Sequence, residues 1–132
     1  MDKVLNFLGM CKRAGALVTG EDGALGAARS GEARLMMLAS DAAENTSKRA
    51  EFYAESCGLV LVRLPYSKDA LGDILGRRVC AVMAVTDKNF ARSFLEKLAA
   101  QLPDYKPALE ELTERLKSRK ERRRALQKEQ KT

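Results

Sequence analysis

Three segments of this 132-residue chain carry groups suited to chemistry. Gly20, Gly23 and Gly26 recur every third residue around a helix start. Glycine there lets a ligand approach the backbone, and a helix N-terminus offers free N–H groups and a positive dipole end to a phosphate. The spacing is not GxGxxG, and no Gly-Lys-Ser/Thr follows, so the dinucleotide fingerprint and the P-loop are both absent. Ordinary capping and tight helix packing would use the same glycines. The second segment, Ser40-Asp41-Ala-Ala-Glu44-Asn45-Thr46-Ser47-Lys48-Arg49, is rich in donors and acceptors and leaves an apolar run. In an open α/β sheet, ligands bind at that end of a strand, although a capping loop reads the same way. The third is Arg77-Arg78, in a turn just before apolar Val79 and Cys80. A cation beside apolar surface suits a phosphate together with an exposed base, and arginines in turns are also common. Lys12-Arg13 and Lys48-Arg49 are further candidates for phosphate contact, the first pair at a helix C-terminus that favours cations in any case.

Other chemistries are excluded. With no histidine, there is no Ser-His-Asp triad, no Cys-His pair and no histidine zinc site. Cys11, Cys57 and Cys80 are odd in number and form no CxxC, so they read as small reduced apolar side chains. Cys80 sits in an apolar run with no base to activate it. Asp41, Glu44 and Asp87 match no metal-ligand spacing. No catalytic residue, metal or cofactor is expected.

The charge is localised. The net +6 of the chain resides in residues 113–132, which hold nine Lys+Arg and three Glu, while residues 1–112 are balanced at fifteen of each sign. A basic tail on a neutral body is an electrostatic footprint for nucleic acid, or a solvated helix end. The longest apolar run, Val79 to Val85, has seven residues, against about 20 for a membrane helix. The start, Met1-Asp2-Lys3-Val4-Leu5, lacks a basic-then-apolar leader pattern; a cytoplasmic location and no membrane partner are expected.

The elements that must position these groups alternate. Val4, Leu5, Leu8 and Cys11 share a helix face behind Asp2, and Gly15 ends that helix. Ala16-Leu17-Val18 is a possible short strand. Thr19 precedes Asp22 by three residues and predicts the cap of a second helix, which stops at Ser30-Gly31. Leu35–Ala39 reads as a strand buried on both faces. A helix carries Ala50, Tyr53, Ala54 and Cys57 up to Gly58; Leu59–Leu64 is a strand; Ser67 caps a helix through Leu71 and Leu75. Val79–Val85 is the clearest strand, and Asp87 or Asn89 starts a helix with Phe90, Phe94, Leu95 and Leu98. Strand–helix alternation implies crossover connections and helices on both sheet faces. Leu102-Pro103 to Pro107 breaks the pattern, which sets a compact domain of residues 1–102 and a basic extension of residues 103–132; there Leu109, Leu112 and Leu116 start one more helix, and Lys117 to Arg124 reads as an exposed helix or a disordered arm.

Taken in order, Arg13-Ala-Gly-Ala-Leu-Val-Thr-Gly-Glu21, Ser30-Gly-Glu-Ala-Arg-Leu-Met-Met-Leu-Ala-Ser-Asp41-Ala, Asn45-Thr, Leu71-Gly72 and Val82-Met-Ala-Val-Thr-Asp87 resemble the ribosomal kink-turn-binding family, the archaeal L-seven-Ae and eukaryotic L-thirty-e group, and more closely its bacterial L-seven-Ae-like branch. The resemblance runs from about Leu5 to Leu98. It implies a three-layer α/β/α sandwich around a mixed four-stranded sheet, and RNA binding without catalysis. It implies that the helix starting at Gly20 faces a sharply bent RNA, its first turn (Gly20, Glu21, Asp22, Gly23, Gly26) reading sheared G·A pairs, while a loop over Gly76, Arg77, Arg78, Val79 and Cys80 covers an extruded base. The archaeal pattern is Gly-x-Asn-Glu-x-x-Lys; this chain has Asp22, Gly23 and Gly26 at the last three specified positions. Aspartate accepts a hydrogen bond without donating one, and losing the lysine removes a phosphate partner. Arg29, one turn beyond Gly26, is a candidate replacement. The expected partner is structured RNA, ribosomal in type, bound by a monomer. The alternative is a protein-interaction module of the same fold. An RNA-modifying enzyme would need a further catalytic domain.

Overall fold

The computed structural model describes residues 2–117. The basic run Ser118–Thr132 lies outside the described residues, so the expectation for its state is not addressed by the structure.

Two strands buried on both faces, β2 (Leu35–Leu38) and β4 (Val82–Val85), form the centre of a sheet ordered β1-β4-β2-β3. The edges are β1 (Leu17–Thr19) and β3 (Leu61–Arg63). β4 runs antiparallel to both β1 and β2, and β2 parallel to β3, so the sheet is mixed. The period of two assigns the side chains. Leu35, Met37, Met83 and Val85 point into one core, and Met36, Leu38, Val82 and Ala84 into the other. Both faces therefore need a helical cover, which explains the continuous apolar runs.

The first core is covered by α1 (Lys3–Arg13), α4 (Lys68–Leu75) and α5 (Lys88–Gln101), through Leu8, Leu71, Leu75, Phe94, Leu95 and Leu98. The second is covered by α2 (Glu21–Ser30) and α3 (Glu44–Cys57), through Ala24, Leu25, Ala27, Ala28, Ala50 and Ala54. This is the three-layer sandwich expected. Among the described residues, no helix is long and apolar enough to cross a membrane.

Several boundaries differ from the periodic reading. The third strand is Val82–Val85, not Val79–Val85: Val79, Cys80 and Ala81 form an extended approach whose Cys80 N–H bonds Lys68 O at 2.9 Å instead of a ladder partner. β3 is likewise shorter than Leu59–Leu64, and β2 ends at Leu38 rather than Ala39. The largest correction lies beyond residue 102. A 3-10 turn (Pro103–Tyr105) leads into a helix, α6, over residues 106–117. Leu112 is 1% exposed inside the first core, with Tyr105, Leu109 and Leu116 packed against it. The Tyr105 hydroxyl also donates to Arg63 O at 2.5 Å. The compact body thus continues through the prolines: Pro103 is accommodated at a helical N-terminus, where its missing N–H costs nothing.

Candidate nucleic-acid interface

The carboxyl ends of β1 and β2 and the amino end of β4 lie at one pole of the sheet, since Thr19 pairs with Met83 and Leu38 with Val82. α2 and α3 both begin at this pole. Neither has a side-chain cap: Gly20 precedes α2 and Ala43 precedes α3. The first-turn N–H groups of both helices are therefore left to solvent or a ligand. Thr19 is not the α2 cap that its spacing suggested. It ends β1, and its hydroxyl and carbonyl oxygens accept from Arg77 at 3.1 and 3.3 Å.

This places Arg77 against Gly20. Gly20 has φ +90, and a Cβ built there would stand 3.0 Å from the Arg77 guanidinium. Glycine is required twice over, by the positive φ and by the arginine lying on the backbone. The loop that delivers Arg77 rests on Gly72, where a Cβ would meet Arg77 O at 2.7 Å and Arg78 O at 2.9 Å. Arg77 N–H donates to Gly72 O at 2.8 Å. Behind it, Asp41 accepts from Lys68 N–H at 2.8 Å, and Lys68 O accepts from Cys80 N–H. Asp41 is thus a strut that ties the β2 end to α4 and to the loop. Gly72 is the position that residue-type reasoning left without a role; a glycine inside an amphipathic helix was the available signal for it.

The other expected residues divide. Arg78 and Val79 are exposed beside Arg77, but Cys80 is 1% exposed. It belongs to the core and cannot touch a ligand; burial pushes its thiol pKa up. Glu21 forms an ion pair with Arg49 across the α2–α3 gap, so neither is a free charge. Asp22 is exposed on the α2 first turn. Lys48 pairs with Glu44 at 3.1 Å at a highly exposed position, where such a pair is weak and yields readily to a phosphate. Lys12 donates to Leu75 O, capping the end of α4. Arg13 lines a groove between α1 and α5. Arg29 lies over the Tyr53 ring, 5.9 Å from its centroid, in the last turn of α2. It stands about 4.5 Å along the helix axis beyond Gly26, the position of the archaeal lysine.

The two glycines that depart from the archaeal pattern are not equivalent. A Cβ at Gly23 would approach Val18 Cγ1 to 2.7 Å, so a larger residue requires the Val18 side chain to shift. A Cβ at Gly26 would meet nothing within 4 Å. Packing holds the first position small and leaves the second open. Among the described residues, no three His, Cys, Asp or Glu side chains gather as a metal site.

The sequence profile of the ribosomal protein L7Ae/L30e/S12e/Gadd45 family matches residues 2–95. The chain belongs to that family. Its L7Ae-type fold is shared with solved structures. One, a protein of unknown function from Bacillus halodurans C, has a TM-score of 0.67 at 30% identity and covers 74% of this chain and 97% of its own. Another, the Giardia lamblia 15.5kD RNA binding protein, has a TM-score of 0.60 at 22% identity and covers 76% and 91%. Among curated relatives, the RNA-binding protein YlxQ of Bacillus subtilis (strain 168) is 34% identical over 96 residues, 70% of this chain and 91% of its own. YlxQ of Enterococcus faecium is 29% identical over 94 residues, 71% and 89%. The family match ends before Pro103, so the extension that completes the L7Ae-type core here is outside it.

Proposed function

We propose that this L7Ae-family chain is a non-enzymatic RNA-binding protein that recognises a bent, kink-turn-like RNA, ribosomal or associated with ribosomes, in the cytoplasm. The observation that carries this reading is the Arg77 guanidinium laid on the uncapped α2 N-terminus at Gly20, with exposed Arg78 and Val79 beside it. Free N–H groups, dipole and guanidinium converge where a phosphate would sit. Val79 offers apolar cover to an unstacked base. Asp22 is an acceptor for guanine amino and imino groups, which takes the place of an amide reading the same edges. The names of the YlxQ relatives and of the Giardia protein support RNA as the ligand.

The test is equilibrium binding of the full chain to a kink-turn RNA and to a straight duplex of equal length, at two salt concentrations. The bent RNA is expected to bind more tightly. Arg77→Ala with Arg78→Ala should weaken that binding about tenfold or more. Unchanged affinity in the double variant would remove this surface from the reading. A second reading has one observation in its favour: Glu21 and Asp22 make the first turn of α2 acidic, which suits a protein partner better than a phosphate. Binding to a protein that is indifferent to salt, with no RNA preference, would support it.

A further inference from the structure

The helical layer that faces away from α2 and α3 carries a groove that the RNA reading does not use. Along α1, Lys3, Phe7, Met10 and Arg13 fall at i, i+4, i+7 and i+10, a stripe beside the buried Val4, Leu8 and Cys11. Lys97 and Ala100 of α5 form the other wall, and the two helices border a groove of about 540 Å³. From Lys3 to Arg13 it extends about 15 Å, close to three turns of helix.

The groove is apolar along its length and cationic at its rim. Met10 is 43% exposed, one of four large apolar side chains left exposed among the described residues. The Phe7 ring packs on Phe90 with centroids 5.9 Å apart, and Lys97 Nζ stands 5.1 Å from the Phe7 centroid. A cation thus already holds that ring face, which leaves it poorly placed to stack on a nucleobase. No acidic residue lines the groove. The acids next in sequence to its lysines are engaged: Asp2 caps α1 and accepts from the Tyr66 hydroxyl at 2.7 Å, and Glu96 pairs with Arg92 at 3.9 Å. Among the described residues, Lys3, Arg13 and Lys97 take part in no ion pair.

We propose that the α1–α5 groove docks an acidic amphipathic helix of a protein partner. Apolar side chains one turn apart on that helix sit against Met10 and the edge of Phe7, and carboxylates on its flanks meet Lys3, Lys97 and Arg13. Recognition of a helix in a groove uses anchors at i, i+3 or i+4 and i+7, and a flexible thioether adapts to the apolar side chain that enters. The rim charge selects an acidic partner and repels a basic one. Residues 118–132 of this chain hold seven Lys+Arg and two Glu, the wrong sign for this rim. The sheet separates the groove from α2, so the proposal does not rest on the RNA reading.

Peptide selection decides it. Random peptides of about 16 residues, long enough to span the groove, are selected on the full chain, and the enriched peptides are measured singly by fluorescence anisotropy. They are expected to be net negative, with apolar residues at helical spacing. Met10→Glu should weaken them about tenfold or more, and Lys3→Gln with Lys97→Gln about threefold or more. A urea midpoint is taken for each variant; should Met10→Glu lower it, the exposed lysine pair carries the reading. Met10→Glu should leave affinity for the kink-turn RNA unchanged, and that RNA should not displace the peptide. Enrichment of basic or uncharged peptides, affinity indifferent to these variants, or no enrichment above the starting library overturns the proposal. Displacement of the peptide by RNA, with RNA affinity lost in Met10→Glu, overturns it as well and assigns the groove to RNA.

Discussion

The two helical layers differ in how they are finished. On one face α1, α4 and α5 each begin under a side-chain cap: Asp2 accepts from Val4 and Leu5 N–H, Ser67 from Ala70 N–H, and Asp87 from Asn89 and Phe90 N–H. On the α2–α3 side no side chain does this, and both helices open at the pole that carries Arg77. The cores differ in step. Leucines and Phe94 fill the first, whereas seven alanines are buried in the second. Caps and large apolar groups are the usual sources of stability. The layer that lacks them keeps its helices close to the sheet and its N–H groups open. The first layer is built to hold, and the second to present a surface.

This contrast can be broken at several points. The largest effect is expected in the leucine-rich layer, where Phe94→Ala should cost about 3–5 kcal/mol through the cavity left behind. In the alanine layer the sensitive change is the reverse one, and Ala50→Leu should cost about 1–3 kcal/mol by overpacking. Urea unfolding of both variants separates the two responses. Gly72→Ala comes next, because its new Cβ meets backbone carbonyls rather than a flexible side chain. The 77–79 loop must move, so affinity for bent RNA should fall well beyond the change in stability. Retained affinity would show that the loop need not rest on α4.

Two substitutions sharpen the comparison by giving the second layer what it lacks. Ala43 has extended backbone angles (φ −60, ψ 152) suited to a cap, so Ala43→Ser should stabilise the protein by about 0.5–1 kcal/mol, read as a shifted urea midpoint. Gly26→Lys fills open space on a helix. It should add roughly 0.5–1 kcal/mol of stability and tighten binding to the kink-turn RNA by supplying the phosphate partner of the archaeal pattern. Gain of stability without gain of affinity would mean that the RNA does not run past this turn.

A dependence on pH belongs to the first layer. Burial, with the charge of Asp87, raises the Cys11 thiol to about 11 from 9.0. Cys80, Tyr66 and Tyr105 also shift upward, chiefly through burial. In each case the unfolded chain loses the proton first, so deprotonation favours unfolding. Stability should be level near neutrality and fall as pH rises from about 9 towards 11. A urea midpoint that holds steady through that range would contradict the shifts.

Sequence and tertiary structure divide the explanation along a physical line. Periods of two and 3.6, Asp2, Ser67, Gly31 and Gly58 are local signals, and they sufficed for the element order, the doubly buried central strands and most helix ends. The ordered segments from Arg13 to Asp87 carried the family resemblance. Local rules misread Thr19 and Cys80 because their partners, Arg77 and the core, lie about sixty residues away or across a layer. They ended the domain at Pro103 because a proline breaks a helix pattern in sequence without breaking the packing of the next helix, which only Leu112 in the core reveals. Chain contacts between distant residues decided which charges are taken, Glu21 with Arg49 and Lys12 with Leu75, and which remain displayed, Arg78 and Asp22. Residue type determines what a side chain is able to bind. Only the folded arrangement determines whether that capacity is already satisfied.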